Sequence, residues 1–491
     1  MMSAITRLAI ATLCAFLGAC TLEPTYHRPD SPVSVPERAQ RGGIAAADIG
    51  WREFFVDPQL QQLLALALAN NRDLRVAALN VQSAQAQYRI QRSDLFPTVD
   101  ASAEEQIDEF PAGVLGTALP GPGSPQSGSA GTPETTFRFY DVGIGFTSYE
   151  LDFFGRIRSL NHAALQQYFS YRETRRSAQL TLVAEVATAY LTVLTDQTQL
   201  DIARETLKNQ NDSYALTERM FRSGTSTELA LRQAESTVDT ARVSVAQYHR
   251  QLAQDRNALQ MLLGTPLPDT IDFAGGLDRG TVVTELDAGI SSEVLVRRPD
   301  VLAAERQLQA ANAQIGAARA AFLPAISLTG SFGTASTELS GLFKGDSRTW
   351  TFSPQFSVPI FAGGALLANL QATRIARQTA VAHYEKAIQS AFREIADALV
   401  ARGTLDEQLQ AQQSLVATTS QAYRLAQMRF RGGVDSYLNS LDAQRALFSA
   451  RQQLQGVRLM RLQNLVTLYK ALGGGVLEYT TATAQSPPPA T

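Results

Sequence analysis

Two patterns alternate along the chain. Residues 156–223 contain no glycine or proline, and neither do residues 225–263. Residues 365–431 and 434–472 are broken only by Gly403 and Gly456. An isolated glycine costs a helix about 1 kcal/mol, which does not end it. At 1.5 Å per residue, a helix over 156–223 is on the order of 100 Å long. Helices of that length cannot bury one face in a compact globule, so coiled-coil-like packing is predicted. Small residues at close spacing, such as Ala184, Ala187 and Ala189, suit closely packed helix neighbours.

The second pattern has period two. Ile326, Leu328 and Phe332 alternate with Ser327, Thr329 and Ser331. Trp350, Phe352, Phe356, Val358 and Ile360 alternate with Thr349, Thr351, Ser353, Gln355 and Ser357. Tyr140, Val142, Ile144 and Phe146 share one parity, and 97–107 (Val99, Ala101, Ile107) repeats the pattern more weakly. One apolar and one polar face over about ten residues fits a membrane-barrel strand. It fits a half-buried soluble sheet equally well. Pro354, read on the polar parity, is awkward in a closed ladder and predicts a bulge or a strand margin.

The chain repeats itself. Phe221-Arg222-Ser223-Gly224 aligns with Phe430-Arg431-Gly432-Gly433 at an offset of 433 − 224 = 209. The same offset pairs Leu263-Gly264 with Leu472-Gly473, and Glu185-Val186-Ala187 with Glu394-Ile395-Ala396. Upstream the offset is 300 − 73 = 227, pairing Asp73 with Asp300 and Phe96-Pro97 with Leu323-Pro324. The Gly/Pro/Ser-rich stretch 111–133 absorbs the difference. Each copy reads as a helix, a strand pair and two long helices. The first copy, 51–296, has strands at about 95–110 and 137–150, helices at 156–223 and 225–263, and a further segment at 265–296. The second, 297–475, has strands at about 322–334 and 348–360 and helices at 364–431 and 434–472. A tail, 476–491, follows.

Residues 1–19 carry Arg7 and then an apolar run, Leu8–Ala19, too short to span a bilayer but suited to a secretory signal. The run ends in Leu17-Gly18-Ala19-Cys20, which resembles a bacterial lipobox and marks Cys20 for lipidation. Cys14 leaves with the signal, so one cysteine remains and no internal disulfide can form. Thr21 follows Cys20 where many inner-membrane lipoproteins have Asp, which favours the outer membrane. Residues 20–50, with Pro24, Pro29, Pro32 and Pro36, read as an extended arm. The 491 residues have a formal net charge of −3, giving no electrostatic pull toward nucleic acid. Hydrophobic residues make up 45 %, which excludes wholesale disorder. No run of 18 or more apolar residues occurs, so a helical membrane span is not predicted.

Four strands cannot close a membrane barrel, so copies of the chain must pool them. Here the chain resembles the TolC-like outer-membrane factors of tripartite efflux systems, in their OprM/NodT lipoprotein branch. The resemblance rests on Trp51-Arg52-Glu53-Phe54-Phe55, Ser148-Tyr149-Glu150-Leu151-Asp152-Phe153-Phe154-Gly155-Arg156 and Arg297-Arg298-Pro299-Asp300-Val301. It rests also on Arg429-Phe430-Arg431-Gly432-Gly433-Val434-Asp435-Ser436-Tyr437-Leu438 and Leu441-Asp442-Ala443-Gln444-Arg445.

The resemblance implies a mixed α and β membrane protein: a homotrimer whose 12-stranded β-barrel, four strands per chain, continues into a long α-helical periplasmic barrel. A small equatorial domain would take residues 265–296 and the C-terminal tail. The implied partners are a periplasmic membrane-fusion adaptor, an inner-membrane pump of the RND type and outer-membrane lipid. Gly224 and Gly433 would be periplasmic tip turns, where a positive φ is needed. Leu438 and Asp442 match positions pointing into the closed aperture, where three copies give an apolar ring and an acidic ring sensitive to pH and divalent metal. Asn439 stands where the TolC type has a further aspartate, so that ring is not doubled.

A search for catalysis finds little. His27, His162, His249 and His383 have no second histidine at i+3 or i+4, which excludes the common local zinc patterns. Gly143-Ile144-Gly145 and Gly473-Gly474-Gly475 lack the lysine of a phosphate loop, and no Gly-x-Ser-x-Gly occurs. The reading is a passive exit duct without cofactor, metal or bond chemistry. Two alternatives are a duct for a type I protein secretion system and an envelope coiled-coil scaffold without a channel.

Overall fold

A computed structural model describes residues 21–33, 46–110, 135–279, 282 and 292–480. Its helices are α1 (Trp51–Phe54), α2 (Pro58–Asn70), α3 (Arg72–Ser93), α4 (Arg156–Arg222), α5 (Glu228–Leu263), α6 (Ser292–Arg297), α7 (Pro299–Ala320), α8 (Ala365–Arg431) and α9 (Tyr437–Ala471). Its strands are β1 (Val99–Phe110), β2 (Thr135–Leu151), β3 (Ala325–Ser336) and β4 (Arg348–Ser357). Cys20 lies outside the described residues. Both offsets recur in the helices: α4 and α8 are 67 residues each, starting 365 − 156 = 209 apart. α3 and α7 are 22 residues each, starting 299 − 72 = 227 apart.

The last helix of each copy begins three residues later than the glycine-free runs suggest, at Glu228 and Tyr437. After its positive-φ glycine the chain needs a few extended residues before Thr227 or Ser436 can open the next helix. One stretch of α4 is, by composition, long and apolar enough to cross a membrane, although it contains no unbroken run of 18 apolar residues. Over half of it is buried inside the protein. Val186, Ala187, Tyr190, Leu191, Val193 and Leu194 have no exposure at all, so this is a core helix.

The chain forms two compact units. The first holds the described residues of Met1–Arg28, Ala84–Tyr168 and Gln307–Ala380. Its centre is one antiparallel sheet in the order β1-β2-β3-β4. The register sets Ala101, Ile144, Phe332 and Trp350 in one row and Val99, Phe146, Gly330 and Phe352 in the next. This apolar face is bare: Val99, Ile144, Phe332, Phe352 and Phe356 are exposed, and Trp350 is 76 % exposed. Among the described residues nothing covers that face, as the membrane-barrel reading expects.

The opposite face carries the row Ser102, Gly143, Gly333 and Thr349, with Glu104 across from Asp141 beside it. Pro354 makes no bulge. It pairs with Leu328 in an unbroken β3–β4 register, on the same face as Phe352 and Phe356. Its strand, β4, is an outer strand of the sheet formed by one chain.

The irregularity is in β2 instead, between Phe146 and Tyr149, where Ser148 has φ 55°. It changes the parity of β2. Tyr149 and Leu151 thereby pair with Leu328 and Ile326 and stay on the apolar face. The segment after it joins strand to helix. Asp152 accepts the first-turn N–H groups of Ile157 and Arg158 at 3.1 and 2.9 Å, and Glu150 takes Arg156 bidentately at 2.8 and 2.6 Å.

The second unit holds the described residues of Pro29–Ser83, Phe169–Arg306 and Val381–Thr491. α2 buries Leu60, Leu63, Leu64 and Ala67, a helical i, i+3, i+4, i+7 stripe. The aromatic motif at residue 51 is core. Phe54 stacks on Tyr469 at 3.8 Å, the Tyr469 hydroxyl donates to the Ile49 carbonyl at 2.7 Å, and Trp51 and Phe55 are buried beside them.

Both copies close their helical units in one way. Asn71 caps α3 by accepting from Leu74 N–H, and its amide donates to the Leu262 carbonyl at the end of α5. At the matching place Arg298 donates to the Ala471 carbonyl at the end of α9. Arg298 also reaches Asp300 at 2.7 Å and Glu394 at 2.8 Å and is only 6 % exposed. Arg298→Met should therefore lower stability by about 2–3 kcal/mol, less than for a fully buried pair because both carboxylates stay partly exposed. Asn71→Ala should lose about 1 kcal/mol, one helix cap. Thermal unfolding followed by circular dichroism checks both values and their order.

Candidate functional site

The two turns between long helices, α4–α5 and α8–α9, are built alike. Gly224 has φ 77° and Gly433 has φ 72°, as the turns require. At each, the glycine N–H bonds three residues back and the next N–H five residues back: Gly224 to Phe221 and Thr225 to Met220, Gly433 to Phe430 and Val434 to Arg429. These bonds satisfy the last carbonyls of α4 and α8.

The turns are locked by different chemistry. In the first, the hydroxyls of Ser223 and Thr225 both donate to the Met220 carbonyl, at 2.9 and 3.0 Å, and Thr227 caps α5 through Ala230 N–H. In the second, Asp435 accepts from Arg429 Nε at 3.0 Å and from Asn439 Nδ2 at 2.7 Å. Those bonds, Arg429 first, hold the Asp435 carboxyl below its usual range. Ser436 makes no side-chain cap, so Asp435 anchors this turn in its place.

Behind the turns lies a small core of Ala234, Phe430, Tyr437 and Leu441, with Tyr214 and Met220 against it. Next to it the buried Gln210 carbonyl oxygen accepts from Thr237 Oγ1 at 3.0 Å. This core fixes which way α9 faces. Tyr437, Leu441 and Gln444 are buried, while Leu438 and Asp442, one turn apart, share the exposed face. The structure brings Leu438 and Asp442 together as neighbours just beyond Gly433. In the first copy Leu229 occupies the place of Leu438 and is also exposed.

Sequence reading missed Arg445. Its guanidinium lies 3.9 Å from the Asp442 carboxylate, so each protomer presents a loose carboxylate–guanidinium pair and not a lone acid. The i, i+3 spacing of opposite charges was the available signal. Among the described residues, no group of three or more His, Cys, Asp or Glu side chains is placed to hold a metal ion.

The model of the family described as outer membrane efflux protein matches residues 63–265 and 290–474, one stretch in each copy. The chain belongs to this family. It is similar to the probable efflux pump outer membrane protein TtgC of Pseudomonas putida, 47 % identical over 480 residues and 96 % of each chain. It is likewise similar to the outer membrane protein OprJ of Pseudomonas aeruginosa, at 43 % identity over 94 % of each chain. Among solved structures, the open state of the MtrE outer membrane channel of Neisseria gonorrhoeae superposes with a TM-score of 0.82 at 38 % identity. That match covers 94 % of this chain and all of the other. This efflux protein has the TolC-like channel fold and is the outer-membrane channel of an efflux pump. Its mostly helical chain with one four-stranded sheet fits a barrel shared by three chains.

The turn glycines give a direct test. A Cβ at Gly433 or Gly224 would touch nothing within 4 Å, so alanine there acts through φ alone. Gly433→Ala and Gly224→Ala should each cost about 1 kcal/mol locally, exchanging the turn amides about five-fold faster. Gly432→Ala should not, since Gly432 is not among the positive-φ glycines. Hydrogen exchange read by mass spectrometry on the turn peptides decides between them.

Proposed function

We propose that three copies of this chain close a 12-stranded barrel in the outer membrane, with the long helices forming a periplasmic tunnel that carries exported molecules outward. The observation that carries this reading is the four-stranded sheet, with an exposed apolar face and with β1 and β4 as its outer strands. Unpaired strand edges are not sustained in lipid, and three chains supply each edge with a partner.

In this reading the two helical turns meet a periplasmic adaptor, which links the tunnel to an inner-membrane pump of the RND type. The pump supplies the energy. The chain itself performs no bond chemistry and is held to the outer membrane by acyl chains on Cys20 as well as by its barrel. Leu438 and Asp442 narrow the tunnel, since they project from the exposed side of α9 immediately after its turn. With Arg445 beside each Asp442, the constriction is a ring of paired charges around three leucines.

Leu438→Ala combined with Asp442→Ala should widen it. Single-channel conductance in planar bilayers should rise, and cells should admit large antibiotics such as vancomycin more readily. Stability should move by less than about 0.5 kcal/mol, because neither side chain is packed. Unchanged conductance in an intact trimeric double variant would place the constriction elsewhere, with the α5 residues around Glu228 next in line. Intact-mass analysis of membrane-extracted protein should find a mature chain that starts at an acylated Cys20. An unmodified start at another residue would remove the anchor from this account.

A further inference from the structure

Within the first unit, residues 22–24 lie in a slot between α4 and α7. Arg319 donates to the Leu22 carbonyl at 3.2 Å, and the fully buried Asn312 donates to the Pro24 carbonyl at 2.7 Å. The slot is shaped to the backbone. A Cβ at Gly316 would lie 2.8 Å from Glu23 Cα and 2.6 Å from Ser159 Oγ, so only glycine lets the arm approach. Both Glu23 carboxylate oxygens sit 3.0 Å from His162 Nδ1, and the Gln166 side-chain amide is 3.0 Å from Nε2, where its nitrogen donates to the neutral ring and, with the amide turned over, its oxygen accepts from the protonated one. Two carbonyl bonds are independent of pH. The ion pair is not.

We propose that this slot is a pH-dependent latch for the N-terminal arm, holding Leu22–Pro24 while His162 is protonated and loosening as the proton is lost. The hydrogen bond to Glu23 raises the His162 pKa above its usual value against the opposing effect of burial. The latch is then at full strength below the usual histidine value, about 6.5, and weakens as pH rises through the higher value of the docked state. Arg319 on α7 is a further charged side chain at the slot, on the Leu22 carbonyl. A guanidinium is a fixed charge in this range, so the imidazole is the group that changes charge near neutrality. Its side chain is 42 % exposed, which leaves it open to protons but limits the pair to the strength of a partly solvated one.

Only Thr21 separates this latch from Cys20. A closed latch therefore gives an anchor on Cys20 a short tether, and an open one a long tether. That consequence rests on the acylation proposed above; the latch itself does not.

The test uses the full-length trimer in detergent with a nitroxide on Thr25→Cys, an exposed position next to the slot, read by electron paramagnetic resonance at pH 5.5 and 8.5. A sample without that substitution corrects for any label on Cys20. The ratio of mobile to immobilised label should rise about two- to five-fold at the higher pH. Glu23→Gln should abolish this dependence, leaving an intermediate ratio at both pH values. Gly316→Ala should give a largely mobile arm at both. Equal ratios at the two pH values in the parent, or an unchanged pH response in Glu23→Gln, would overturn the latch. Because the readout is arm mobility, it does not depend on whether Cys20 carries lipid.

Discussion

Backbone hydrogen bonding in lipid is the constraint on which this protein depends. Water is absent at membrane depth, so each strand N–H and C=O needs a partner within the protein. One chain supplies four strands, with an apolar face turned outward and two edges unpaired by the chain itself. Such a sheet is incomplete alone. Its apolar side chains are distributed for a surrounding hydrocarbon phase and its edges for neighbouring copies. The β2 bulge serves the same end, since without the change of parity at Ser148 the side chains of Tyr149 and Leu151 would turn to the polar face.

The same accounting governs the helices. Four N–H groups and four carbonyls per helix end lack intrahelical partners, and this chain meets the need with short, repeated devices. Asp152 caps α4, Asn71 caps α3 and closes α5, and Arg298 closes α9. Asn71 and Arg298 stand at equivalent places and reach equivalent carbonyls, yet only Arg298 extends onward, to Glu394. Duplication preserved the task while the side chains diverged.

The two turns diverged in the chemistry that locks them. Hydroxyls lock the first and ions lock the second, so ionic strength acts more directly on the turn that precedes Leu438 and Asp442. Both turns share one apolar core through Tyr214, Ala234, Phe430 and Tyr437, so the two hairpins pack against each other.

Much of this was readable in the sequence, because the signals are local. The repeat, the long helices, the alternating strands and the two turn glycines depend on periodicity or on the backbone freedom of one residue. The motifs at residues 51, 148 and 297 were visible as strings without a reason. The tertiary structure supplied the reasons: an aromatic stack on Tyr469, a bulge followed by a helix cap, and a buried guanidinium. Three matters were decided only by contacts between distant residues. Whether the apolar sheet face was covered depended on what else packs there, and none of the described residues does. Pro354 sits in an unbroken ladder, paired with Leu328 of the neighbouring strand. The pairing of Glu23 with His162, 139 residues apart, required the arm to lie against α4. Sequence determines periodicity and local backbone freedom, whereas exposure and long-range charge pairing exist only once the chain has folded.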